Sequence, residues 1–296
     1  MSPAPDGTIT WRELLAEAAA RLAASGSASA EVDARWIVAD CLGVGTAELS
    51  GALNELATDR GVARFDDLVR RRSAGEPLQY VLGSWGFRTL DLMVDPRVLI
   101  PRPETESVVE VALEELDALG GSERPTRVVD LGTGSGAIAL SIAVERVRTE
   151  VWATDASEDA LAVARANIAG IGRPGARVRA VPGDWFAALP AHLRGTVDLV
   201  VSNPPYVAEG AALPTEVASW EPVDALWSGP DGTVDLVRIV AAAPDWLVPH
   251  GALVCELSPE QAETMLDAAN EHFEAAEVRP DLTGRPRALV ARRPRR

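Results

Sequence analysis

The stretch VVDLGTGSGAIAL, residues 128–140, decides the fold. A β-branched run, Val128 and Val129, ends at Asp130 and Leu131. Three glycines follow at Gly132, Gly134 and Gly136, and then an apolar, helix-compatible run from Ala137 to Leu140. That is a strand, a loop and a helix in immediate succession. Glycines let the backbone turn sharply and let a ligand approach it closely. A tight turn alone would explain one of them, but the surrounding pattern asks for more. Working outward, RVVDL, EVWAT, RVRAV, VDLVVS and ALVCEL are short apolar or β-branched runs, and helical segments such as EDALAVARANIAG lie between them. Such alternation predicts a parallel, doubly wound sheet. EAAEVRPDL and RPRALVARR add two more strands at the C-terminal end. The expected fold class is α/β, a Rossmann-like, mostly parallel seven-stranded sheet, with a small helical bundle before it.

Spacing narrows the ligand. The dinucleotide fingerprint is G-x-G-x-x-G. Here the pattern is G-x-G-x-G, with Asp130 two residues before the first glycine and no Lys-Ser/Thr pair after the last. A nicotinamide cofactor and a P-loop nucleotide therefore both fit poorly. An acid beside the loop is awkward for a pyrophosphate and suits a ligand that presents an ammonium. S-adenosylmethionine does so, and the loop Gly132-Thr133-Gly134-Ser135-Gly136 becomes its expected seat. Asp155 ends the next strand, nineteen residues after Gly136, near the usual ribose-binding position. The strand after that ends in GDWF, where Asp184 could accept from an adenine amino group and Trp185 could lie beside the ring. Each acid alone could be a helix N-cap. Three of them past the ends of successive strands form a constellation, because open α/β sheets bind ligands at that edge.

The fourth strand runs into Asn203-Pro204-Pro205-Tyr206. Two prolines stop any strand, since neither donates an N–H and both fix φ. A rigid turn needs neither an amide nor a phenol ring. The Asn203 side-chain carbonyl and the Pro204 backbone carbonyl can each accept one N–H of a planar amino group, while the Tyr206 ring can stack on it. Such a clamp, Asn203 to Tyr206, would hold a nitrogen for methyl transfer.

Composition agrees with an enzyme of this kind. The 296 residues are 47% hydrophobic and carry a formal net charge of −16, which argues against a partner that is recognised by its phosphates. Cys41 and Cys255 stand alone, and His192, His250 and His272 lack metal-ligand spacing, so neither a disulfide nor a metal site is expected. MSPAPDGTITWRELL lacks the basic start and apolar core of a secretory leader, and no apolar run is long enough for a membrane span. A cytoplasmic, monomeric protein is the expectation. Residues 1–79 read as helical, with Thr10 and Glu13 as a capping box, Ser29 as an N-cap and Gly43 and Gly75 as stops. Residues 80–98 read as a hairpin-like linker and 99–296 as the catalytic domain, in which PRPETE precedes a helix from about Thr105 to Leu119.

The chain resembles the protein-(glutamine-N5) methyltransferases that modify peptide chain release factors. The resemblance runs, in order, through GEPLQYVLG (75–83), VLIPRPETE (98–106), DLGTGSGAIAL (130–140), GDWF (183–186), SNPPY (202–206), EVASWEPVDAL (216–226) and DLTGRPR (281–287). It implies methylation of the glutamine in the Gly-Gly-Gln loop of class 1 release factors, with the N-terminal helical domain helping to dock that partner. It also implies cofactor contacts at Gly132 to Gly136, Asp155, Trp185 and Asn203, and a substrate clamp at Asn203 to Tyr206. PRPETE would lie near the pocket, where Arg102 and Glu106 could equally form a structural ion pair. One departure is Ser258-Pro259, where the family usually has a glycine after the acid of that strand. Another substrate for the same clamp is an adenine amino group of nucleic acid or a different protein glutamine. A non-catalytic S-adenosylmethionine-binding partner of translation is the alternative of another class.

Overall fold

The computed structural model describes residues 9–121 and 123–295. Residues 1–8, read above for a leader, and the last arginine of the basic tail lie outside the described residues. The chain forms two compact units, Met1–Gly83 and Ser84–Arg296.

The first unit is helical: α1 Trp11–Ala24, α2 Ala30–Leu42, α3 Leu49–Ala52, α4 Asp59–Ser73 and α5 Leu78–Leu82. Thr10 and Glu13 form the expected capping box at α1, so two N-terminal donors are satisfied reciprocally. Thr58 caps α4 through the Gly61 amide. Ser29 occupies the N-cap position of α2, but its hydroxyl donates to Asp33 at 2.9 Å instead of capping the helix backbone. Gly43 closes α2 in the left-handed conformation, which glycine adopts without a Cβ penalty.

The second unit begins with a hairpin, β1 Ser84–Phe87 and β2 Leu90–Met93. The buried side chain of Asn167 clasps the backbone of Met93 by an amide-to-Oδ1 bond of 2.8 Å and an Nδ2-to-carbonyl bond of 3.0 Å. Then come α6 Pro103–Ala118, β3 Thr126–Leu131, α7 Ala137–Glu145, β4 Thr149–Asp155, α8 Glu158–Gly170, β5 Val178–Pro182, β6 Val197–Ser202, α9 Thr215–Trp220, α10 Val234–Ala242, β7 Leu247–Glu256, α11 Ala262–His272, β8 Phe273–Pro280 and β9 Pro286–Pro294. Helix α6 starts two residues before the expected Thr105, because Pro103 sits in its first turn, where a missing N–H costs nothing.

The seven strands run in the order β5-β4-β3-β6-β7-β9-β8. The first five are mutually parallel, and β9 pairs antiparallel with both β7 and β8. All seven expected strands are present, in the expected α/β sheet. Alternate side chains feed two cores. Val128, Leu199, Val201, Ala252, Val254, Ala288 and Val290 pack with α6 and α7 on one face. Val129, Leu131, Val200, Leu253, Cys255, Leu289 and Ala291 pack on the other with α10 and α11. Burial on both faces explains why these strands read as continuous apolar runs and not as alternating ones. The chain leaves β3 toward β4 on one side and returns to β6 on the other. The switch point, where such sheets bind ligands, is therefore at the carboxyl ends of β3 and β6.

Candidate active site

A cavity of about 460 Å³ opens at this switch point, large enough for a nucleoside-sized ligand. Gly132, Thr133, Gly134, Ser135, Asp155, Asp184, Trp185, Asn203 and Pro205 line it. Asp130, Gly136, Pro204 and Tyr206, which sequence spacing placed with them, do not.

The three glycines all have positive φ, +70° at Gly132, +55° at Gly134 and +87° at Gly136. They differ in what surrounds them. A Cβ at Gly132 would come within 3.2 Å of the Trp185 ring, whereas at Gly134 nothing lies within 4 Å. A Cβ at Gly136 would press on Leu140 at 3.2 Å, so this glycine serves the packing of α7. Asp130 lies beneath the loop, fully buried. Its Oδ2 accepts from the Thr133 hydroxyl at 2.6 Å and the Ala139 amide at 3.2 Å. Its Oδ1 is buried without a hydrogen-bond partner, and burial pushes the carboxyl up to about 7. The expectation that Asp130 faces the ligand is therefore corrected: it organises the loop from behind. Asp155 takes the facing position. Its oxygens accept from the Gly134 and Ser157 amides, each at 2.9 Å, which tethers the loop to the end of β4, and burial raises its carboxyl.

Trp185 adopts φ +45°, a conformation uncommon for a bulky residue. Its ring lies against Gly132 and its indole N–H donates to Asp235 at 3.2 Å. Asp184 sits on the cavity wall but accepts from Arg238 at 2.6 Å, both side chains being half exposed. A ligand amino group would have to share that carboxylate with Arg238.

At the other end, the Asn203 Nδ2 donates to the Thr105 hydroxyl at 3.2 Å, and Thr105 donates to Glu256 Oε2 at 2.6 Å. The Tyr206 hydroxyl donates to Glu256 Oε1 at 3.1 Å. Burial raises the Glu256 carboxyl, and burial together with the Glu256 charge raises the Tyr206 phenol. The Tyr206 ring is half buried against the core on the α10 and α11 face. Gln261 Nε2 donates to the Tyr206 carbonyl at 3.0 Å and to the Gly232 carbonyl at 2.9 Å. Its Oε1 accepts from the Ser258 amide at 3.1 Å. The Ser258-Pro259 departure thus braces the residue that supports Tyr206.

PRPETE reaches the wall through Arg102 and Thr105. Arg102 pairs with the buried carboxylate of Glu221, which also accepts from the Ile100 amide at 3.3 Å. The alternative pair with Glu106 is corrected: Glu106 accepts from the Arg88 amide at 3.0 Å. Sequence reasoning gave Thr105 and Glu256 no role. The available signal was a single carboxylate ending the apolar run ALVC, at the same sheet edge as Asn203.

The residues present fit S-adenosylmethionine. The loop is open toward the cavity at Gly134, and a carboxylate faces it at the ribose-binding strand. Among the described residues no group of three or more His, Cys, Asp or Glu could hold a metal ion, and no helix is long and apolar enough to cross a membrane.

Comparison with known proteins points the same way. Residues 13–83 match the family described as the PrmC N-terminal domain, and residues 109–219 match the methyltransferase small domain. The chain is 44% identical over 286 residues to a release factor glutamine methyltransferase of Deinococcus radiodurans, covering 95% of this chain and 98% of that one. It is 39% identical over 285 residues to one of Mycolicibacterium smegmatis, covering 95% and 97%. Among solved structures, the hMettl16 catalytic domain superposes with a TM-score of 0.51 at 14% identity, over 80% of this chain and 83% of that one, a likeness of fold alone.

Proposed function

The chain belongs to the release factor glutamine methyltransferase family, and from that premise we propose that Asn203-Pro204-Pro205-Tyr206 presents the glutamine amide of a Gly-Gly-Gln loop to S-adenosylmethionine held at Gly132–Gly136 and Asp155. When bound, S-adenosylmethionine supplies a methyl group on a cationic sulfur. The observation that carries the reading is that Asn203 and Pro205 line the same cavity as the glycine loop and Asp155, so acceptor and donor sites are one space.

The chemistry required of the chain is modest. An amide nitrogen is a weak nucleophile because its lone pair is delocalised into the carbonyl. The Asn203 Oδ1 accepts one of its N–H bonds, limits rotation and favours a pyramidal nitrogen; the Pro204 carbonyl, assigned to the second N–H, belongs to a residue that does not itself line the cavity. Those bonds strengthen as the nitrogen gains positive charge, so they lower the barrier more than they tighten binding. The methylated nitrogen is acidic and gives its proton to water, so no dedicated base is needed. Glu256 is already bonded to Thr105 and Tyr206 and is not placed to act as one. The helical unit Met1–Gly83 is assigned to docking the release factor, a partner much larger than the cavity. The chain acts on protein and not on nucleic acid, consistent with its net charge of −16.

Incubation with S-adenosylmethionine and either a class 1 release factor or DNA, followed by mass spectrometry, tests this. One added methyl on the Gly-Gly-Gln glutamine is expected, with DNA unmodified. A methyl on DNA, or on another residue of the release factor, would refute the substrate.

A further inference from the structure

We propose that Thr105 and Glu256 are positioning residues that fix which end of the Asn203 amide faces the cavity, so that the site accepts an –NH2 group and rejects a carboxylate. The proposal rests on the methyltransferase reading above and deepens it.

Ser202 at the end of β6 lies beside Cys255 on β7, so Asn203, the first residue past β6, and Glu256, the last of β7, are the next positions along the two chains. By the two-residue alternation of a strand, 203 follows Leu199 and Val201, and 256 follows Ala252 and Val254. All four of those residues belong to the core that packs under α6. Thr105 stands in the first turn of α6 and closes the triangle from above.

Proton counting then sets the direction of every bond. Both Glu256 oxygens accept, Oε2 from Thr105 and Oε1 from Tyr206, so this carboxyl is an acceptor and not a donor here. The Thr105 hydroxyl has one proton, and at 2.6 Å from Glu256 Oε2 it is given to the carboxylate. The Thr105 oxygen can then only accept, and Asn203 Nδ2 fills that place at 3.2 Å. One N–H of the amide is thereby committed to Thr105, and Oδ1 is left as the acceptor offered to substrate. A flipped Asn203 would set Oδ1 against the Thr105 lone pairs and offer an –NH2 to the substrate –NH2. Both contacts would be repulsive, and a buried polar group left unpaired is costly. The same relay gives discrimination. A glutamate side chain at the clamp would set its oxygens against Oδ1, whereas a glutamine amide brings donors. The second oxygen of Glu256 accepts from the Tyr206 hydroxyl, so one buried carboxylate holds both ends of the four-residue motif.

The test uses the full-length protein and its release factor, comparing wild type, Thr105→Val and Thr105→Ser. Valine keeps the shape and removes the hydroxyl; serine restores it. Expected for Thr105→Val is a fall in kcat of about a hundredfold, the scale of a misplaced reacting group. KM for the release factor should barely move, and S-adenosylmethionine should still raise Tm. Thr105→Ser should recover most of the rate. A Thr105→Val enzyme with wild-type kcat, or one as slow as Thr105→Ser, overturns the relay. If Thr105→Val shows no melting transition, Thr105→Ala is judged by the same criteria. A wild-type enzyme that leaves the glutamine unmodified overturns the substrate reading, and this proposal with it. That result differs from an active wild type whose rate ignores the hydroxyl.

Discussion

The two ends of the cavity are built by different means. At the glycine loop the chain presents backbone: three residues with positive φ, held by Asp155 in front and Asp130 beneath. At the Asn-Pro-Pro-Tyr end it presents side chains, aligned by Thr105 and Glu256 from places far away in sequence. The first end should resist side chains at its three positive-φ positions and yet be blind to distant hydroxyls. The second should tolerate small changes of shape and fail when a donor or acceptor is lost.

The largest expected effect is at the side-chain end. Asn203→Ala removes the acceptor proposed for the substrate nitrogen and should cost roughly a hundred- to a thousandfold in kcat, the range for losing one preorganised polar contact to a reacting group. Single-turnover methylation of a release factor measures it. At the backbone end, Gly132→Ala forces a Cβ into φ +70° and to 3.2 Å from Trp185. A left-handed residue costs about 1–2 kcal/mol, so a lowered Tm is expected. Loss of the Tm rise produced by S-adenosylmethionine should accompany it. If the variant kept that rise and lost only turnover, the division of labour would be wrong.

A pH dependence separates the ends further. Asp130 is raised from 3.8 to about 7 by burial. A folded-state value above the unfolded one means that the stabilising difference is present at low pH. It is lost as pH climbs from about 4 through about 7. Wild type should therefore lose Tm relative to Asp130→Asn across that window. A pH-independent difference between them would contradict the buried, unpaired carboxyl. The smallest effect belongs to Arg238→Ala. Its pair with Asp184 is half exposed, and such pairs contribute about 0–1 kcal/mol, so Tm should hardly change. Release of the Asp184 carboxylate, proposed to accept from the adenine amino group, would register instead as a change in S-adenosylmethionine affinity, measured by titration calorimetry.

What was legible in the sequence follows the same division. The glycine loop could be read because positive φ at three positions, one of them beside the Trp185 ring, favours glycine, so the requirement is written in residue type. The seven strands could be read because strands buried on both faces leave unbroken apolar runs. Asn203 to Tyr206 stood out for its stiffness. Asp130 misled because an acid near a glycine loop looks the same whether it faces the ligand or sits beneath the loop. Asp184 could be read as a wall residue, but its ion pair with Arg238 could not, since that pair joins residues that only the tertiary fold brings together. Thr105 and Glu256 were hidden because their meaning depends on β6–β7 register and on α6 packing over both, neither of which is written locally. The Arg102–Glu221 pair, spanning 119 residues of chain, was hidden for the same reason.

One measurement separates binding from transfer most directly. Wild type and Asn203→Ala are each brought to the same S-adenosylmethionine-induced rise in Tm and then mixed with a class 1 release factor, whose intact mass is followed with time. The account predicts one methyl added by wild type and almost none by Asn203→Ala, with the cofactor bound in both. Equal methylation by the two proteins would contradict the assignment of Asn203-Pro204-Pro205-Tyr206 as the clamp that makes this cavity a glutamine methyltransferase.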